Sequence, residues 1–216
     1  MVGSNQIGDT PLPIEVVARR LICENTKFIV YFDHVIDKSG HEVENYLVVS
    51  PKQAGTNLVT GVAILPIVDG QIGLIRIYRP AIRDYSWEIP HGFVDEGETD
   101  DVSALRELQE ETGLIVEPRG FSSMGYITPD AGVLAARVQL FLAEAVCVGK
   151  ENQPELGLSE FRFFPIKEFE TMIEQSKIQD TFTLSAWCKF CLLKSKRPSV
   201  IKSAEKKIKG LFRNVF

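Results

Sequence analysis

Apolar and polar residues alternate through three runs near the start of the chain, 16–23, 27–36 and 44–50, with turn-prone Glu24-Asn25 and Lys38-Ser39-Gly40 between them. This pattern predicts a small antiparallel β unit. From residue 58 the apolar runs lengthen, and 58–68 and 71–79 read as long strands joined by Asp69-Gly70, a dipeptide suited to a two-residue hairpin. Further strands are expected at 120–128, 136–146 and 160–165. Helices are expected at 100–112, 167–175 and 181–194. Strands with helices on their faces imply an α/β or α+β sandwich. The chain therefore divides into a flexible leader at 1–14, an N-terminal β unit at 15–57, a main domain at 58–193 and a tail at 194–216.

The tail changes the charge picture. Residues 194–216 hold eight Lys or Arg against the single acid Glu205, a local charge of +7, and Ile201, Ala204, Ile208, Leu211, Phe212 and Val215 recur at helical spacing. A basic amphipathic helix is expected, docked on its own protein or on a dimer mate, with attachment to anionic membrane as the alternative. The chain as a whole has a net charge of -5, so no overall basic field points to nucleic acid as the main partner. With neither a signal-like apolar start nor a run long enough to span a bilayer, a cytoplasmic protein is expected. Four cysteines are too few and too scattered for a disulfide framework, and Cys188-x-x-Cys191 lies in an apolar helical stretch where core packing is expected.

The chemistry concentrates between Gly92 and Leu114. Thr99 is a candidate N-cap, Asp100 and Asp101 suit the positive end of a helix dipole, and Gly113 suits the C-terminal stop. Val102, Leu105 and Leu108 form the face expected to press into the sheet, while Glu107, Glu110 and Glu111 gather on another. Like charges so placed repel by roughly 0.2–0.5 kcal/mol per pair in an isolated helix, and a hard divalent cation would offset that. The absence of nearby His or Cys ligands argues against zinc.

Gly92, Glu98, Arg106, Glu107, Leu108, Glu110, Glu111, Gly113 and Leu114 match every defined position of G-x5-E-x7-R-E-U-x-E-E-x-G-U, with U an aliphatic residue. The segment resembles the Nudix signature. That resemblance implies the Nudix fold, a mixed sheet sandwiched between helices, and an enzyme that uses Mg²⁺ or Mn²⁺. It assigns the metal to Glu107 and Glu111 with help from Glu110 and from the backbone carbonyl of His91. It gives Glu98 and Arg106 a structural role, tying the loop to the helix. Relatives often carry Ala where this chain has His91, whose side chain is expected to be a pocket wall.

Outside the signature, Ile77-Tyr78-Arg79-Pro80 and Trp87-Glu88-Ile89-Pro90-His91-Gly92 look like the Q-Y-R-P and W-E-x-P-A-G segments of the ADP-ribose pyrophosphatase branch, with Ile77 in place of Gln. Pro129, fifteen residues beyond Leu114, is a second marker of that branch, and the N-terminal β unit is a third. The resemblance implies hydrolysis of ADP-ribose or a related nucleoside diphosphate sugar by a homodimer. Phe28 and Tyr46 are among the aromatics suited to stack on the base. Arg79 is expected to contact the pyrophosphate or to form a structural ion pair, and Glu88 to orient substrate hydroxyls or to form one. Glu155, with Glu151 second, is the expected general base on a late loop. Another nucleotide sugar or a modified nucleotide is the alternative substrate, and an ADP-ribose sensor without catalysis is the alternative function.

Overall fold

The computed structural model describes residues 12–53, 58–144, 146–148 and 156–195. The leader as far as residue 11, the segment with Glu151 and Glu155, and the tail from residue 196 lie outside the described residues. The first three strands are β1 (Ile14–Glu24), β2 (Phe28–Asp37) and β3 (Glu42–Pro51). They form an antiparallel sheet in that order. The main sheet is built from β4 (Val59–Val68), β5 (Gln71–Arg79), β6 (Asp84–Glu88) and β7 (His91–Phe93), which precede helix α1 (Asp100–Thr112). After α1 come β8 (Leu114–Val116), β9 (Phe121–Ile127), β10 (Arg137–Glu144), β11 (Val146–Val148) and β12 (Leu158–Pro165). Helices α2 (Ile166–Glu174) and α3 (Thr181–Ser195) close the described chain.

The main sheet runs β12-β5-β4-β10-β9, with β6 paired to β5 and β7 to β4. Strands β4 and β10 are parallel and the other pairs antiparallel, so the sheet is mixed. Its central strands are buried on both faces, which explains their near-continuous apolar sequence. In β4, Ala63, Leu65 and Ile67 face a core shared with Phe169 and Met172 of α2 and with Ala186 and Phe190 of α3. Val62 and Ile64 point the other way, to Ala104 and Leu108 of α1. Strand β10 repeats the division, with Leu140 and Leu142 on one side and Phe141 and Ala143 on the other. The result is a mixed sheet between helices. Asp69 and Gly70 both take positive φ, 48° and 74°, as a two-residue hairpin turn requires.

The N-terminal sheet is joined to the main body by its third strand. Val49 N–H donates to Val133 O at 2.8 Å and Ala135 N–H to Val49 O at 2.9 Å. Phe28 also packs edge-on against Phe93 of β7, with ring centroids 5.7 Å apart. Strand β1 is exposed along its whole length.

Two expectations about helix faces are corrected. Leu108 is buried, but Val102 is 48% and Leu105 38% exposed, because the stripe that α1 buries is Ser103, Ala104, Leu108 and Glu111. A buried carboxylate occupies a place where an apolar side chain was expected. On α3 the buried residues are Thr183, Ala186 and Phe190, and Cys188 and Cys191 lie on the exposed side, not in the core.

Candidate active site

Helix α1 starts at Thr99, whose extended backbone suits an N-cap, but its hydroxyl donates to Asp101 Oδ1 at 2.5 Å and makes no capping bond. The helix ends where Gly113 turns left-handed at φ 70° and donates its N–H to Gln109 O. Between these ends, the acids sit in three different environments. Glu111 is buried, and its Oε2 accepts the His91 backbone N–H at 2.8 Å. Its Oε1 is also buried and accepts no hydrogen bond. Glu107 lies against β7, where a Cβ on Gly92 would run into its carboxylate, so the closeness of helix and strand depends on glycine at 92. Glu110 is half-exposed.

Arg106 supplies positive charge to this acidic face. Its Nη1 donates to Glu107 Oε1 at 2.9 Å and to Glu110 Oε2 at 3.0 Å. Its Nε faces Glu98 at 3.2 Å, and its Nη2 donates to Phe93 O and pairs with Asp95, each at 3.2 Å. Ser103 adds a hydroxyl bond to Glu98 Oε2 at 2.6 Å. That hydroxyl, followed by Arg106, holds the Glu98 carboxyl below its usual range. Burial works against the Arg106 charge, but Glu107 and Glu98 outweigh it and raise the guanidinium pKa further. Among the described residues, no group of three or more His, Cys, Asp or Glu side chains stands ready-made as a metal cluster.

A second polar centre lies on the β5 side of the loop. Arg79 clasps the buried Glu88, with Nε 3.1 Å from Oε1 and Nη2 2.6 Å from Oε2. Arg79 Nη2 also donates to His91 Nε2 at 2.8 Å, and His91 Nδ1 lies 2.9 Å from Ile89 O. Guanidinium can only donate and a carbonyl can only accept, so this network selects the neutral imidazole with its proton on Nδ1. Burial pushes the Glu88 carboxyl up, but the hydrogen bonds and charge of Arg79 more than reverse this and leave it below the usual range. Phe182 of α3 packs edge-on against the His91 ring at 5.0 Å.

A model of the NUDIX domain matches residues 57–184, more than half of the chain. The chain belongs to the Nudix family. An ADP-ribose pyrophosphatase of Bacillus subtilis is 36% identical over 101 residues, covering 46% of this chain and 53% of that protein. An uncharacterized Nudix hydrolase of Schizosaccharomyces pombe is 34% identical over 121 residues, 53% of this chain and 58% of that one. The chain thus spans about half the length of these curated relatives. An RNA pyrophosphohydrolase of Caulobacter vibrioides reaches 49% identity, but over 63 residues and 29% of the chain. Among solved structures, one titled as an ADP compounds hydrolase superposes with a TM-score of 0.71 at 18% identity, covering 89% of this chain and all of that one. That likeness establishes the Nudix fold.

The remaining candidate residues of this Nudix chain take up definite contacts. Tyr46 donates its hydroxyl to Gly132 O at 2.7 Å, and Phe28 joins the N-terminal sheet to the Nudix loop through Phe93. A cavity of about 470 Å³ lies between the first turn of α1 and strands β9 and β10, lined by Glu98, Asp100, Asp101, Ser123, Tyr126 and Gln139, among others. Its acidic wall opposes a diphosphate there. Residue-by-residue reading missed Ser103 and Asp95, which complete the Arg106 cluster; short polar side chains near a signature carry no periodic signal of their own.

Proposed function

We propose that this chain hydrolyses the pyrophosphate bond of ADP-ribose or a related nucleoside diphosphate sugar, releasing a nucleoside monophosphate and a sugar phosphate. The observation that carries the reading is the buried Glu111 carboxylate, fixed to the His91 amide beside Glu107 in the Nudix loop. The donor set fits a hard divalent cation such as Mg²⁺ or Mn²⁺. It offers carboxylate and carbonyl oxygens, includes a buried oxygen that accepts no hydrogen bond, and has both His91 ring nitrogens engaged elsewhere. Glu107, Glu111 and the His91 carbonyl would hold the ion, with Glu110 assisting. The ion would supply neutralisation of the diphosphate and activation of the attacking water.

The chain's own groups supply the rest. Glu107 and Glu110, which accept hydrogen bonds from Arg106, would be the carboxylates available to an ion, while the bonds of Arg106 to Glu98, Asp95 and Phe93 O would retain the loop. Arg79, held in one plane by Glu88 and His91, presents a preorganised guanidinium to the phosphates. Glu155 is the proposed base for the water proton. The ADP-ribose preference draws on the Bacillus subtilis relative and on an ADP-ribose pyrophosphatase of Saccharomyces cerevisiae, 34% identical over 97 residues. We also propose a homodimer, because Ile14, Val16, Val17 and Leu21 leave an apolar strand exposed at the N-terminal sheet.

Product analysis across ADP-ribose, GDP-mannose and 5′-triphosphorylated RNA, with Mg²⁺ and with EDTA, tests the reading. ADP-ribose should give AMP and ribose 5-phosphate. EDTA should abolish turnover, and Glu111→Gln should lower it by roughly 10²–10³-fold. Equal rates for wild type and Glu111→Gln with and without EDTA would overturn the metal site, and binding of ADP-ribose without turnover would favour a sensor.

A further inference from the structure

The segment that carries Glu88 and His91 is gripped from two sides, and the grip on the α3 side belongs to none of the roles above. Pro90 has no amide proton, so Ile89 and His91 supply the backbone N–H handles on either side of it. The His91 handle goes to Glu111 of α1 at 2.8 Å. The Ile89 handle goes to Thr183 Oγ1 of α3 at 2.9 Å.

Thr183 is fully buried, and its contacts fix the sense of that bond. Its hydroxyl lies 2.7 Å from Asp180 Oδ2, and the same oxygen accepts the Thr183 backbone N–H at 2.7 Å. A hydroxyl has one proton, and a carboxylate can only accept it, so the lone pairs of Oγ1 are left for Ile89. Beyond Ile89 the chain of contacts continues. Ile89 O lies 2.9 Å from His91 Nδ1, the donor that leaves Nε2 as acceptor for Arg79. Phe182, next to Thr183, closes on the imidazole edge. The first turn of α3 therefore touches the backbone at Ile89, two residues before the His91 amide that anchors Glu111, and the His91 ring itself.

We infer that Asp180 and Thr183 are positioning residues for the reaction. Through the Ile89–His91 backbone they fix where the Glu111 carboxylate stands and which nitrogen of His91 carries the proton. The part concerning turnover rests on the reading of Glu111 given under Proposed function; the part concerning His91 stands on the hydrogen bonds alone. An apolar side chain of the same shape at 183 would fill the space equally well, so packing does not require the hydroxyl. A buried amide needs an acceptor, and Asp180 orients the acceptor it has.

The test compares wild type, Thr183→Val, Thr183→Ser and Asp180→Asn. The readouts are kcat and KM for ADP-ribose with Mg²⁺, the ¹⁵N chemical shifts of the His91 ring, and thermal unfolding. Thr183→Val should lower kcat about tenfold with KM changed less than about twofold, as removal of an outer support does. Its ring nitrogens should move from the single Nδ1–H form toward a mixture. Thr183→Ser should restore most of kcat and the wild-type ring signals. Asp180→Asn, which keeps the hydroxyl, should fall between, and it decides the matter if Thr183→Val does not fold. Lower melting points with kcat and His91 signals unchanged would overturn the inference. If wild type hydrolyses no nucleotide in the panel, the proposed function fails while the ring signals still decide the positioning.

Discussion

Arg79 and Arg106 both hold the loop that carries the Nudix signature, but they do so in opposite ways. Arg79 reaches it from β5 and, among the described residues, pairs with one carboxylate, Glu88, whose side chain is 6% exposed. Arg106 reaches it from α1 and spreads over Asp95, Glu98, Glu107 and Glu110, whose side chains are between 14% and 54% exposed. The first is a fixed pair, because a buried carboxylate that lost its guanidinium would have no water to replace it. The second is shared, so that when one acid leaves the guanidinium keeps others, and the exposed pair Asp95 and Glu110 can leave without stranding a charge in the core. That difference suits their neighbours. His91 and the Ile89–His91 backbone need a constant geometry, whereas Glu107 and Glu110 are the side chains proposed to exchange a guanidinium for a metal ion.

The comparison breaks most directly in stability. Arg79→Met leaves Glu88 buried without its main partner and should cost about 3 kcal/mol, the low end for a buried pair, since Arg79 is itself 32% exposed. Arg106→Met should cost about 1 kcal/mol, because its partners fall back on water. Urea unfolding at pH 7 reads both. Equal losses would mean that the two centres are energetically alike and that the distinction between fixed and shared pairing is wrong.

A smaller effect comes from pH. Burial raises the Glu88 carboxyl and Arg79 lowers it by more, so its pKa in the folded protein lies below the ordinary value of 4.5. A group depressed in this way contributes stability above the unfolded pKa and loses it as the pH falls through the folded one. Glu88→Gln should therefore be less stable than wild type at pH 7, and the gap should narrow only at pH values below 4.5. A gap that closed between pH 7 and 5 would show that the Glu88 carboxyl is not held below its ordinary range.

Much of the main sheet could be read beforehand because its strands are long and apolar on both faces. The expectation for 71–79 coincides with β5, and that for 100–112 with α1. The short strands β6, β7, β8 and β11, three to five residues each, were too brief for a period-two pattern to register. The acidic face of α1 was only half legible. Its spacing places Glu107, Glu110 and Glu111 near one another, but hydrophobicity misassigned the buried stripe, since Glu111 lies inward with Leu108 while Val102 and Leu105 face out. The partnership of Arg79, Glu88 and His91 depends on pairing β5 with β6 and on the bend at Pro90. Nothing in residue spacing forces three side chains from those positions to meet. The bond between Thr183 and the Ile89 amide, 94 residues apart in the chain, left no signal in the spacing of either segment.

Ionic strength should separate the two centres by the smallest margin and with the least disturbance. Screening shortens from roughly 10 Å at 0.1 M salt to about 3 Å at 1 M, and it acts on charges that solvent ions can approach. Two of the acids around Arg106 meet that condition, Glu110 at 54% and Asp95 at 50% exposed, while Glu88 is 6% exposed behind Arg79. Raising NaCl from about 0.1 to 1 M should therefore remove most of the roughly 1 kcal/mol lost on Arg106→Met while leaving the loss on Arg79→Met nearly unchanged. The measurement is the difference between each variant and wild type at the two salt concentrations, so that general salt effects on folding cancel. If the Arg106→Met loss held at high salt, the bonds to Phe93 O and Glu98 would have to act as a fixed brace, and the carboxylates of Glu107 and Glu110 would not be free to turn toward a metal ion.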